Sequence, residues 1–256
     1  MRKILHLSDL HMGKKKCSAT FKRIIDNIIN RHSGNEFIVV ITGDLIDDAT
    51  VTTQLDEAVA QVKRLQDHFG PEHVLIVPGN HDCSDHNKGI SVLMRKFKNA
   101  FYSNPNELFP RCSFIDDIAF IGLDSMAKEM DKDDGFAAQG ELGGVQRKDL
   151  EQLLSSDPRI INSAYRVVYL HHRPVKYHMP GMLLVDHKKL KKVVRGKIDM
   201  MLFGHEHTAD VWHNDRNWQI SRMYNAGRST SNHRIGPHRI IDLASDPHSD
   251  IPGNFY

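Results

Sequence analysis

Five separate apolar runs in this 256-residue chain each end in a small cluster of Asp, His or Asn. Residues 4–8 (ILHLS) lead into Asp9-Leu10-His11, residues 37–42 (FIVVIT) into Gly43-Asp44, and residues 74–78 (VLIVP) into Gly79-Asn80-His81-Asp82. Residues 167–170 (VVYL) lead into His171-His172, and residues 200–203 (MMLF) into Gly204-His205-Glu206-His207. Each run has the length and the Ile, Val and Leu content of a buried strand. Sheet proteins carry functional groups just beyond the carboxyl ends of their strands. Polar clusters of metal-ligand type at five such ends can therefore converge on one place, the signature of a two-metal hydrolytic centre.

Between the runs the pattern turns helical. Ser18 is expected to cap a helix whose apolar residues Phe21, Ile24, Ile25, Ile28 and Ile29 recur at helical spacing. Leu55, Ala58, Val59, Val62, Leu65 and Phe69 mark a second helix that stops at Gly70-Pro71. A third is expected over residues 90–102, then a hairpin of residues 113–115 and 118–123 around Asp116-Asp117. Residues 128–144 have no apolar period and are expected to form a surface loop over the site. Leu150, Leu153 and Leu154 mark one short helix, and Leu190, Val193 and Val194 another. Short strands follow at 209–213, 218–221 and 239–243. With no repeat and no linker, the simplest division is one domain over residues 1–244 and an extended tail over 245–256.

The clusters carry the chemistry. Asp9 and His11 stand two apart, as do His205 and His207, so in a strand each pair projects to one side. Asp44 and Asn80 each follow a glycine that permits a sharp turn. With His171 these make two carboxylates, one amide oxygen and four imidazoles. Such a set without thiolate suits Mn, Fe, Zn, Co or Mg rather than Cu(I) or an iron–sulfur cluster. Seven ligands are too many for one ion with an open position and suit two divalent ions sharing a carboxylate bridge. Two such ions attract an anionic phosphate and acidify a shared water for in-line attack. His81, beside Asn80 but at another angle, is placed to donate a proton or contact the phosphate, with Asp82 expected to hold its ring in one tautomer.

These motifs, in this order and spread over about 200 residues, resemble the calcineurin-like metallophosphoesterases. The resemblance implies an α/β fold of four layers, an αββα sandwich of two mixed β-sheets flanked by helices. It implies that Asp9, His11, Asp44 and His207 hold one metal, that Asp44, Asn80, His171 and His205 hold the other, and that Asp44 is the bridge. His81 becomes the histidine that contacts phosphate or protonates the leaving group, and His172 a residue of packing or support. Within the family, Gly140-Glu141-Leu142 through Gln146 and Leu150, then His171-His172-Arg173-Pro174 and Asp186, are similar in layout to the class III cyclic-nucleotide phosphodiesterases. That group usually has Pro where Arg173 stands. Arg173 and Arg228 (in Asn225-Ala226-Gly227-Arg228-Ser229) are the candidate substrate contacts, with His178 and His233 weaker ones.

The expected activity is hydrolysis of a small phosphodiester, such as a cyclic nucleotide. A phosphomonoesterase, a DNA-repair type nuclease and a non-catalytic scaffold are the alternatives. All seven ligand positions are filled, which argues against the scaffold. A net charge of +2 gives no strong field toward nucleic acid or an anionic membrane, so nucleic acid is disfavoured without being excluded. The runs Lys14–Lys16 and residues 188–192 read as solvated surface. Cys17, Cys83 and Cys112, widely spaced and odd in number, fit reduced thiols in the cytosol. No run reaches the length of a membrane span, and residues 4–7 are too short for a signal-peptide core. The sequence leaves the oligomeric state open, a homodimer included.

Overall fold

The computed structural model of the protein describes residues 2–14, 16–85, 90–127, 139–175, 182–231, 238–246 and 251–253. The first strands, Lys3–Leu7 (β1), Phe37–Thr42 (β2) and Val74–Val77 (β3), are parallel neighbours, with Ile4 opposite Ile38 and Val40 opposite Leu75. His238–Ile241 (β10) pairs antiparallel with β1, and Ile251–Gly253 (β11) pairs antiparallel with β10. Part of the stretch expected as a tail therefore extends this sheet, in the order β11-β10-β1-β2-β3.

The second sheet contains Arg111–Ile115 (β4), Ile118–Gly122 (β5), Tyr165–Tyr169 (β6), Met200–Phe203 (β7), Asp210–Asp215 (β8) and Ile220–Asn225 (β9), in the order β4-β5-β6-β7-β9-β8. Its four central strands are parallel, and β4 and β8 close the two edges antiparallel. Both sheets are thus mixed.

The twofold period of the strands sets the layers. Ile4, Ile38, Val40, Leu75 and Val77 of the first sheet meet Ile118, Phe120, Val167, Tyr169, Met200 and Leu202 of the second in one buried cluster. Alternate residues face outward. Leu5, Leu7, Val39, Ile41 and Ile76 pack on helices Cys17–Arg31 (α1), Thr52–Phe69 (α2) and Ser91–Phe101 (α4), which lies beyond a short helix Asn80–Cys83 (α3). Ala119, Ile121, Val168, Met201 and Phe203 pack on Gly143–Ser156 (α5), Pro158–Asn162 (α6) and His187–Val194 (α7). The result is the expected αββα arrangement.

Helix α1 begins differently from expectation. It starts at Cys17, and Ser18 makes no cap; its hydroxyl accepts from the Gly13 N–H and donates to Glu57, both at 3.0 Å. Of the loop expected at 128–144, residues 128–138 lie outside the described residues, as do His178 and His233. Gly140 and Leu184 form a parallel bridge, joining the end of that loop to the segment before α7. No helix among the described residues is long and apolar enough to cross a membrane.

Just past β5, Asp124 is buried, and its carboxylate accepts from the Met126 N–H at 2.8 Å. Gln146 of α5 bonds both the N–H and the C=O of Asp124, each at 2.8 Å. Burial pushes the Asp124 carboxyl up to about 6, against the Met126 N–H and the Lys98 charge. A folded-state value above the unfolded one contributes stability that is complete below pH 4 and is lost as pH rises through 6. The size is on the order of 2–3 kcal/mol. Asp124→Asn keeps the bond to Met126 and is expected to remove this loss. Its advantage over the wild type in urea unfolding should grow from pH 4 to pH 7 and then level off. A difference that stays flat across that range would contradict the account.

Candidate functional site

The strand ends do not deliver the site residues by simple alternation. Asp9 and His11 follow the end of β1, and both have left-handed backbones, with φ of 53° and 43°. So do Asp44 (53°), His205 (80°) and His207 (58°). A non-glycine residue in this region costs on the order of 1–3 kcal/mol and persists only where its surroundings hold it. Here the Asp9 N–H donates to the Gly43 carbonyl (3.1 Å), and the His11 N–H to the Asp44 carbonyl (2.9 Å). The His205 N–H donates to both carboxylate oxygens of Asp9, at 3.2 and 3.1 Å. The first loop is thus fastened to the second and the fifth. The expected strand alternation does not apply: Asp9 and His11 lie in one donor group, whereas His205 faces His171 and His207 faces His11.

Two glycines matter for specific reasons. Gly43 has φ 85°, which lets the chain turn sharply into Asp44. Gly79 is extended, and a Cβ there would lie 2.2 Å from Asp44 Oδ1 and 2.5 Å from the Asp44 N, so only glycine allows this approach.

The other six expected ligands come together around Asp44. On one side, His11 Nε2 lies 2.8 Å from His207 Nε2 and 3.7 Å from Asp44 Oδ2, and His207 Nε2 lies 3.6 Å from Asp9 Oδ1. On the other side, His171 Nε2 lies 3.1 Å from Asn80 Oδ1, 3.1 Å from His205 Nδ1 and 3.4 Å from Asp44 Oδ2. Donors bound to one ion at about 2.1 Å sit roughly 3.0–3.4 Å apart for octahedral to tetrahedral angles. The second group fits that spacing directly; the first fits after shifts of a few tenths of an ångström.

The protonation chemistry agrees. His171 Nδ1 lies 2.7 Å from the Thr42 carbonyl, which accepts only, so the neutral ring carries its proton there. Its Nε2 lone pair then faces an amide oxygen, another imidazole and a carboxylate, a set that calls for a cation. As bare side chains, burial opposes charge on His171, yet Asp44, aided by Asp9, outweighs it and raises the ring to about 9. Burial likewise opposes the Asp44 carboxylate, and His171, His81 and His11 hold it well below the usual range. This pocket demands positive charge.

His81 lies in α3, one residue beyond Asn80, and its N–H donates to Asp44 Oδ1 at 3.0 Å. Its ring stands edge-on to His11, with centroids 4.7 Å apart. Its tautomer is not set by Asp82. His81 Nδ1 donates to the Asp47 carbonyl at 2.7 Å. Asp82 instead accepts three backbone N–H bonds, from Leu45 (2.9 Å), Ile46 (3.2 Å) and Gly79 (2.9 Å). It thereby ties the loop after Asp44 to Gly79, the N-cap of α3. Burial and the Asp44 charge push it up to about 7 despite those bonds. Asp82 shapes the Asp44 loop through these bonds.

Asp47 takes the place that sequence reasoning missed. Its Oδ1 lies 3.3 Å from His11 Nδ1, and Lys14 lies 3.5 Å from the same oxygen. The His11 ring beside it holds the Asp47 carboxyl down at about 2, against burial. Asp47 therefore faces His11 with its carboxylate and accepts the His81 Nδ1–H with its carbonyl. The only signal in the sequence is its position three residues after Asp44, beside another acid.

Arg173 is not open to substrate. It is buried, ion-paired to Glu206, 3.5 Å from Asp210 and stacked on Trp212 at 4.7 Å. A guanidinium with an acid on one side and an aromatic face on the other is already committed. Arg228 does reach the site. Its N–H donates to the His207 carbonyl at 3.2 Å, and its Nη2 lies 2.9 Å from Cys17 Sγ. The turn that carries it is pinned to the first loop by Ser229 N–H to the Ser8 carbonyl (2.9 Å) and by the Thr230 hydroxyl to the Leu10 carbonyl (2.8 Å). His172 is fully buried, bonded through Nδ1 to Ser125 at 2.8 Å and packed against the His205 ring.

A family profile described as calcineurin-like phosphoesterase matches residues 2–209. An uncharacterized protein of Acanthamoeba polyphaga mimivirus is 26% identical over 118 residues, covering 41% of this chain and 9% of that protein. The DNA double-strand break repair protein Mre11 of Saccharolobus solfataricus is 35% identical over 92 residues, covering 32% of this chain and 23% of that protein. The chain thus spans less than a quarter of the length of these relatives. Among solved structures, a 5'-nucleotidase from Candida albicans superposes with a TM-score of 0.49 at 13% identity, over 89% of this chain and 45% of that one.

Proposed function

Because the chain belongs to the calcineurin-like phosphoesterase family, whose members are metal-dependent phosphoric ester hydrolases, we propose that it hydrolyses a small phosphodiester at a two-metal centre. The carrying observation is Asp44: one buried carboxylate oxygen faces His11 Nε2 at 3.7 Å and His171 Nε2 at 3.4 Å, and so serves two donor groups at once. Asp9, His11, Asp44 and His207 would hold one ion, and Asp44, Asn80, His171 and His205 the other. Mn, Fe, Zn and Co suit these donors. Ions bound there supply Lewis acidity toward the phosphoryl oxygens and lower the pKa of a coordinated water. His81, with Nδ1–H given to the Asp47 carbonyl, would in its imidazolium form offer Nε2–H as proton donor to the departing oxygen, leaving the neutral ring. Arg228 is the candidate contact for a substrate oxygen beyond the reacting phosphate.

The charge inventory favours diesters. A monoester carries nearly two negative charges at neutral pH and gains more from extra cations. Arg173 is spent on Glu206, which leaves Arg228 as the cationic candidate of the two arginines. kcat/KM for an aryl phosphodiester is expected to exceed that for the matching monoester by about tenfold or more, roughly 1.4 kcal/mol. Equal or better turnover of the monoester would reassign the chain as a phosphatase. The likeness of the second half to class III phosphodiesterases makes cyclic nucleotides the first natural diesters to assay.

The Mre11 match supports a second reading, a nucleic-acid phosphodiester as substrate. One panel with Mn, comparing an aryl diester, an aryl monoester, cyclic nucleotides and single-stranded DNA, separates the readings. The three cysteines, unpaired in the structure, fit a cytosolic setting.

A further inference from the structure

Resting on the two-metal reading, we infer that Arg173 is a positioning residue, whose ion pair with Glu206 fixes the loop carrying His205 and His207 against the loop carrying His171. Glu206 stands between two histidines that face different donor groups, His205 beside His171 and His207 beside His11. Both neighbours have left-handed backbones, so the shape of this loop is imposed by its contacts. The Glu206 carboxylate is buried, and Arg173 is its one hydrogen-bond donor among the described residues, its other oxygen having no partner.

Arg173 is itself anchored on several sides. Its Nε donates to the Val175 carbonyl at 3.0 Å, Asp210 at the start of β8 lies 3.5 Å away, and the guanidinium rests on Trp212 of β8. Its own carbonyl accepts the Leu184 N–H at 2.9 Å. It lies just past His171 in the chain, so the pair links the β6 loop to the β7 loop within one side-chain length. Without the guanidinium, Glu206 keeps a buried, unpaired charge and gains by swinging toward water. That swing carries His205 and His207 with it. Metal sites tolerate displacements of only about half an ångström, and partners that orient ligands typically govern 10–100-fold in metal affinity.

The test measures Mn binding by calorimetry alongside thermal unfolding. Arg173→Ala is expected to weaken Mn binding about 10–100-fold, and Arg173→Lys to recover part of that loss. The double variant Arg173→Met with Glu206→Leu removes both buried charges, so it should regain much of the thermal stability. It should still bind Mn weakly, because nothing then sets the loop. In Co-loaded protein the visible absorption of the double variant should differ from that of the wild type. Wild-type Mn affinity in the double variant, or in Arg173→Ala, would overturn the inference and leave the pair a fold element only. Failure of the wild-type protein to bind Mn would instead remove the two-metal reading beneath it.

Discussion

Asp44→Asn is expected to empty or weaken both metal positions together and to lower kcat/KM by about 10³-fold or more. The change keeps size and shape, so the fold should hold, but it removes the charge that both donor groups share. Asp44 Oδ2 faces His11 and His171, while Oδ1 accepts the His81 N–H at 3.0 Å. An amide has one oxygen for these two duties. If its NH2 turns toward His81, it meets an N–H donor; if it turns toward the imidazoles, it replaces the bridging oxygen. Losing metal assistance costs several kcal/mol of transition-state stabilisation, and about 4 kcal/mol corresponds to roughly 10³ in rate. Metal content per chain and steady-state rates, measured on the same preparation, check the result. Retention of two ions with near wild-type turnover would rule out the shared carboxylate.

His81→Ala is expected to act on the rate alone. Both ions should remain bound while kcat falls by about 10²–10⁴, the usual range for a lost general acid. The structure separates the two roles because His81 Nδ1 is taken by the Asp47 carbonyl, and the His81 backbone N–H, which survives the substitution, is what bonds Asp44. The loss should be small for nitrophenyl esters, whose leaving group needs little protonation, and large for alkyl esters. An Ala variant that loses a metal ion would make His81 a ligand; equal losses for both leaving groups would remove it as the proton donor.

Much of this fold is legible in the amino-acid sequence. The strand runs ending in polar clusters stand where they are expected, because fully buried strands read as continuous apolar segments whose ends are marked by glycine and charge. Asp44 and the six residues that gather around it are legible for the same reason. What escapes is what depends on backbone direction. Left-handed φ at Asp9, His11, Asp44, His205 and His207 is a product of bonds between loops far apart in the chain, such as His205 N–H to Asp9, and no local propensity announces it. The exchange of Asp82 for Asp47 has a similar origin: which acid faces a ring depends on the orientation of α3, set by three backbone N–H groups from two loops. Arg173 reads as a substrate contact because its partner, Glu206, lies 33 residues away in a motif that reads as metal ligands alone. The β11 strand reads as tail because its three residues include Pro and Gly, and pairing with β10 is a tertiary choice.

Two ions sharing the Asp44 carboxylate would fix a stoichiometry that metal analysis reads. Purified protein stripped with a chelator, reloaded with excess Mn and freed of unbound ion should contain close to two Mn per chain, and its phosphoesterase activity should disappear with stripping and return with loading. Affinity should weaken in acid, since the imidazoles must be neutral to bind. Protein that unfolds cooperatively yet holds no Mn under these conditions, or that hydrolyses its ester equally well after stripping, would contradict the account.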